Sequence, residues 1–369
     1  MKMPKSPLSK LLAVALLATT AGCGALMTYE ANRKLGKNDV TEKQFEDDEF
    51  LIDMANRYGL MALFAETVYR GELHKNVRDE MGCKYLEPGW EGDGQYGMPK
   101  VPGSASGWER WIPMVSGEPP CINDKNGLYY ETYVYRGGDG SIQEAVIAFR
   151  GTENRLGQTA SDWRSNLSAA FGIEPAQYRT AREHLPALIT RLTTTTEGNP
   201  NIKIFAVGHS LGGGLAQQAG YLSSDIKEVF TFNTSPVTNW TRLRREGLVK
   251  QGYPIIHRLY HGGEALEAPR FVATSATSAR YGRHDVGVQF GRRKFAEGHS
   301  MKILACNFGR ILSKKKIASG SHNYPTAYID LRVLKVQDAP TTRGVAETSK
   351  RVCDDDLHGE GHIGKLGTS

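Results

Sequence analysis

Apolar residues recur in steps of three and four at Phe50, Met54, Tyr58, Met61, Ala65 and Val68. That period lays them along one side of a helix, so 45–70 is predicted as a long amphipathic helix packed on a core. The rhythm then changes. "LYYETYVYR" (128–136) and "EAVIAFRG" (144–151) are rich in β-branched and aromatic residues and flank the turn-forming "GGDG" (137–140), which predicts a hairpin. Beyond it the two patterns alternate. Helices are expected at 175–192, with Pro175 suited to a first turn, and at 211–224, near 238–250 and at 300–312. Strands are expected at "IKIFAVG" (202–208), "VFTFNTS" (229–235), "PIIHRLYH" (254–261), "DVGVQFG" (285–291) and, late, "AYIDLRVLKV" (327–336). Alternation of this kind predicts an α/β fold, a mostly parallel central sheet with helices on both faces.

The pattern lapses in three places. Residues 71–127 contain "LEPGWEGDGQYGMPKVPGSASGWERWIP" and read as an irregular insertion in a domain running from 43 to 336. Its Trp90, Trp108 and Trp111 fit either a lipid-touching cap or local packing. Residues 337–369 read as a polar tail, including "CDDDLHGEGHIGK" (353–365), a solvated stretch with no clear metal-binding pattern. At the other end, Lys2, Lys5 and Lys10 precede "LLAVALLA" (11–18), which is too short to span a bilayer. Residues 1–22 are therefore expected to be a signal peptide, followed by a polar tether at 24–42. Ala21, Gly22 and Cys23 resemble the end of a bacterial lipoprotein signal, although Thr20 stands where that pattern usually has Leu, Val or Ile. The resemblance implies a lipidated Cys23 and a chain anchored in the bacterial cell envelope, in the outer membrane if the cell is Gram-negative; cleavage without a lipid is the alternative.

Composition adds limits. With 40% hydrophobic and 23% charged residues in 369, the chain can bury a sizeable core. The net charge of +6 includes the three lysines of the signal, so the remainder carries only about +3, too little to argue for nucleic acid. Cys83, Cys121, Cys306 and Cys353 are an even set compatible with an oxidising compartment. Cys83 with Cys121, which bracket the insertion, and Cys306 with Cys353 is the expected pairing, against four reduced thiols. No C-x-x-C occurs, which speaks against a structural zinc site.

The chemistry centres on Gly208-His209-Ser210-Leu211-Gly212, a G-x-S-x-G between an expected strand and an expected helix. In that context it reads as a nucleophile elbow: small neighbours permit the tight turn, and the helix N-terminus faces the serine. "AVIAFRGTE" (145–153), "DWRSNL" (162–167), "VGHSLGGGLA" (207–216) and "VFTFNTSP" (229–236) together resemble the successive motifs of the class 3 (fungal-type) lipases of the α/β-hydrolase superfamily, over roughly residues 128–312. The resemblance implies an α/β-hydrolase fold with Ser210 as nucleophile. It also implies an oxyanion hole from the backbone N–H groups of Thr152 and Leu211, and a short flap at 153–161.

The acid departs from that pattern, because no Asp follows "PIIHRLYH". Glu264 after Gly262-Gly263 is the expected acid, with Glu267 the alternative. For the base, His299 in "EGHSMKIL" resembles the catalytic histidine of bacterial members, and His322 also satisfies the Ser, acid, His order. His209 is expected to pack at the elbow and His284 to lie in a loop. His257 and His261, four apart, could hold a metal with Glu264, but that spacing on a strand is common by chance. No metal or cofactor is expected. The reading is a serine hydrolase of lipid carboxylic esters, on triacylglycerol or phospholipid, with a Ser-His-Glu triad and an acyl-enzyme. The alternatives are a short-chain carboxylesterase or acyltransferase and, from another class, a non-catalytic envelope lipoprotein on a hydrolase scaffold.

Overall fold

Side chains alternate between two faces along β3 (Ile142–Phe149) and β4 (Lys203–His209), and that alternation sets the layers. Val146, Ala148, Phe205 and Val207 enter one apolar cluster, whereas Ala145, Ile147, Phe149, Ile204 and Ala206 enter another. A strand buried on both faces belongs in the middle of a sheet covered by helices. The computed structural model describes residues 49–68, 107–111, 128–151, 174–194, 201–250, 254–262, 264, 266, 283–288, 290, 298–315, 335–336 and 350–351.

Among these, β1 (Gly107–Arg110), β2 (Tyr130–Arg136), β3, β4, β5 (Ile226–Phe232), β6 (Ile255–His261) and β7 (Arg283–Val288) form one sheet in chain order. The β1–β2 and β2–β3 pairs are antiparallel, and every pair from β3 to β7 is parallel. Helices α2 (Ala176–Thr194) and α3 (Leu211–Leu222) cover one face; α1 (Glu49–Thr67) and α5 (Met301–Lys315) cover the other. A short α4 (Trp240–Arg245) links β5 to β6. This is the α/β-hydrolase architecture. Its outermost parallel pair is held partly by charge: Arg258 on β6 grips Asp285 on β7 through two bonds of 2.6 and 2.7 Å.

The expected elements are largely where the pattern puts them, with instructive exceptions. Helix α1 is buried on more than one stripe, because Leu51, Ala55, Leu60, Ala62 and Leu63 are covered as well. It lies on the sheet and packs along α5 at the same time. The insertion is not wholly irregular: Gly107–Arg110 adds an edge strand to β2. Trp108 and Trp111 are both buried; Trp108 packs on Phe64 and Tyr135 at centroid distances of 4.9 and 5.7 Å. Helix α4 ends well before 250, since Gly247 takes φ 65 and the Gly247 and Leu248 amides turn back onto Arg244 and Leu243. The tail also carries structure: β9 (Lys350–Arg351) pairs antiparallel with β8 (Lys335–Val336).

Cys306, on α5, is buried. Cys83, Cys121 and Cys353 lie outside the described residues, as do the signal, the tether, Trp90 and the expected flap. Among the described residues no helix is long and apolar enough to cross a membrane.

Candidate active site

Only one residue separates β4 from α3, and that residue is Ser210. It takes φ 55 and ψ −125, a conformation that costs an L-residue on the order of 1–3 kcal/mol and persists only where neighbours impose it. Two glycines make the turn possible. A Cβ on Gly208 would overlap the carbonyl of Gly212, and one on Gly212 would overlap the carbonyl of Phe149 at the end of β3. Backbone bonds lock the rest. The Ser210 amide donates to Phe232 O at 3.1 Å, and Ser210 O accepts from the amides of Gly213 (3.0 Å) and Ser235 (2.9 Å). Leu211 follows as the first residue of α3, so its N–H belongs to a helix N-terminus beside the serine.

Glu264 and His299 come together at the same end of the sheet. Glu264 lies three residues past β6, and His299 precedes α5. The His299 Nδ1–H donates to Glu264 Oε2 at 2.6 Å, and the Leu266 amide donates to the same oxygen at 2.8 Å. A carboxylate offers only lone pairs, so Nδ1 carries the hydrogen and the lone pair of the neutral ring falls on Nε2. Both side chains are deeply buried, 3% and 0% exposed. His209, adjoining the serine, reaches this group: its Nε2–H donates to His299 O at 2.7 Å, and the two rings lie 4.9 Å apart.

Asn233 is the site residue that sequence reasoning missed. It follows β5 directly, takes φ 42 and is fully buried. Its Nδ2 donates to Gly298 O and His299 O, each at 3.1 Å, and its Oδ1 accepts from the His261 amide at 2.8 Å. The available signal was an Asn at a strand end, the residue type most tolerant of left-handed backbone after glycine.

The other histidines have different settings. His261 donates from Nδ1 to Gly262 O and accepts the Phe290 amide at Nε2, at 2.9 and 3.0 Å. His257 lies towards α1, with Nε2 3.2 Å from Glu228 and Nδ1 3.4 Å from the Tyr58 hydroxyl. His284 is on β7 rather than in a loop, stacked on His257. The structure thus does not bring His257, His261 and Glu264 together as a metal site, and no cluster of metal-ligating side chains occurs among the described residues. Thr152, Glu267 and His322 lie outside those residues.

Comparison with solved structures finds hydrolases. A lipase from Rhizopus microsporus var. chinensis is similar over 57% of this chain and 71% of its own, at 17% identity and TM-score 0.31. Lipase II from Rhizopus niveus is similar over 61% of this chain and 76% of its own, also at 17% and 0.31. A dienelactone hydrolase from Anabaena variabilis covers 54% of this chain and 94% of its own, at 12% and 0.29. No curated protein matches the sequence significantly. The family profile described as phospholipase-like, the Tle-like phospholipase domain, matches residues 61–267, which is more than half of the chain and includes the Ser210 turn and Glu264. The chain belongs to the Tle-like phospholipase domain family.

Proposed function

We propose that the protein is a serine hydrolase of lipid carboxylic esters, with phospholipid or acylglycerol as substrate. The observation that carries this reading is the buried 2.6 Å contact between His299 and Glu264, tied through His209 to a serine held at φ 55 between β4 and α3. Ser210 Oγ attacks the ester carbonyl while His299 Nε2 takes its proton. Glu264 holds the ring in the tautomer that presents that lone pair and stabilises the imidazolium as it forms. The tetrahedral oxyanion is received by the Leu211 N–H, with Thr152 as the second donor. Collapse expels the alcohol, protonated by His299, and leaves the acyl group on Ser210. Water, deprotonated by the same histidine, then releases the acid. Membership of a phospholipase-like family supports the lipid substrate, and the "FRGT", "GHSLGGG" and "FNTSP" motifs of class 3 lipase type support the catalytic arrangement.

The "TTAGC" segment extends the proposal to cellular place. Cys23 becomes a lipidated N-terminus, which holds the enzyme at a membrane of the bacterial envelope beside its substrate. Residues 24–369 and a Ser210→Ala variant, assayed on phospholipid vesicles, emulsified triacylglycerol and esters of increasing acyl length, test the catalytic part. Hydrolysis and fluorophosphonate labelling by the wild type, both lost in the variant, are expected. Unchanged hydrolysis by the variant would refute the mechanism, and an inert wild type would favour a non-catalytic scaffold.

A further inference from the structure

Four hydrogen bonds at the site close on themselves. Asn233 Nδ2 donates to His299 O (3.1 Å), and His299 Nδ1 donates to Glu264 Oε2 (2.6 Å). The Glu264 amide donates to His261 O (3.4 Å), and the His261 amide donates back to Asn233 Oδ1 (2.8 Å). One side chain that would touch no substrate thereby bridges the end of β6, three residues before the acid, and the loop carrying the base. The residue before it, Phe232, accepts the amide of Ser210.

We infer that Asn233 is a positioning residue for the hydrolytic group, setting the separation of His299 and Glu264 through the backbones of His299 and of His261, onto whose carbonyl the Glu264 amide turns. The inference rests on the serine hydrolase reading above. Its physical basis is that His299 lies outside regular secondary structure before α5, and Glu264 lies in a loop after β6. Neither loop is held by the sheet ladder at that point. A primary amide suits the junction because it donates and accepts at once: two carbonyls need donors, and one amide needs an acceptor. Left-handed backbone at φ 42 turns the side chain back across the strand ends, and the fully buried setting makes each bond costly to leave unmade. His209 Nε2–H adds a second donor to His299 O from the elbow side, so the base loop is held at that carbonyl by both residues.

The test uses Asn233→Asp and Asn233→Gly. Aspartate keeps the shape, the acceptor and the tolerance of positive φ, but loses both donated bonds. Glycine keeps the backbone conformation and loses the whole bridge. Activity on a soluble nitrophenyl ester is measured per active site, counted by fluorophosphonate labelling to completion, so unfolded molecules do not enter. The expected result is a fall in kcat per labelled site of about 10- to 100-fold, the scale of a misplacement near 1 Å, with KM changed less than about twofold. Thermal melts recorded alongside separate this from a structural role, which would lower Tm and the number of labelled sites but leave kcat per site intact. Wild-type kcat per site in whichever variant folds overturns the inference while leaving the hydrolase reading in place. A wild type that neither labels nor turns over ester overturns both.

Discussion

Replacing Glu144 by glutamine is expected to stabilise the protein at neutral pH and to leave it nearly unchanged in acid. Glu144 sits mid-sheet on β3, between Tyr135 on β2 and Lys203 on β4, and is 2% exposed. Its Oε1 has no hydrogen-bond partner among the described residues, and the half-exposed Lys203 ammonium stands 3.9 Å away, beyond hydrogen-bond reach. Burial disfavours the charged form most; Lys203 opposes this, and the nearby Glu228 adds to it. The carboxyl is pushed up from 4.5 to about 7. That rise corresponds to roughly 3 kcal/mol of preference for the protonated form. The sign follows from proton counts. Between 4.5 and about 7 the folded chain holds a proton that the unfolded chain has released. The contribution is therefore fully present below 4.5 and lost by about 7, falling by roughly 1.4 kcal/mol per pH unit between them. Glutamine does not titrate. The variant should thus match the wild type in acid and exceed it by up to about 3 kcal/mol once the glutamate ionises. Urea unfolding of both proteins across this range, followed by tryptophan fluorescence at constant m, measures the gap as a difference in midpoint. A gap that does not change with pH would refute the reasoning, because it would mean that Glu144 titrates alike in the folded and unfolded chains.

The site supplies further expectations. Glu264→Ala should cut kcat by about 10²- to 10⁴-fold with little change in KM, whereas Glu267→Ala should retain activity; ester kinetics on the two variants identify the acid. Gly212→Ala would drive a methyl into the Phe149 carbonyl, so the elbow and the end of β3 must separate. Stability should fall by about 1–3 kcal/mol and labelling by fluorophosphonate should slow, measured by denaturant melts and by the rate of adduct formation. Trp108→Ala should cost about 3–5 kcal/mol by emptying the space between Phe64 and Tyr135, read from the same melts, with kcat per labelled site unaffected. Mass spectrometry of the mature N-terminus should find a diacylated or triacylated Cys23; an unmodified cysteine would remove the anchor from the proposal.

What could be read along the chain is what depends on local chemistry. The hairpin at 128–151 follows from two β-rich runs around a Gly/Asp turn, and the paired faces of β3 and β4 follow from alternation. The elbow follows from small residues on either side of a serine between a strand and a helix, because only that composition admits the Gly208–Gly212 approach. The edge strand around Trp108 was not legible. Its four residues carry one large apolar side chain and two charges, and pairing with β2, not its own pattern, makes it a strand. The double burial of α1 was hidden for a related reason: one stripe answers to the sheet and another to α5, which lies some 250 residues further along.

The sequence by itself determined the order of strands and helices, the α/β class and the strained serine, since each rests on neighbours within a few residues. Only the tertiary structure shows that Glu264 and His299 meet. They are 35 residues apart, and their contact depends on how two loops are held after the sheet has formed. Asn233 exerts its hold through backbone carbonyls and an amide, groups that every residue carries, so no pattern of side-chain types along the chain could announce the bridge.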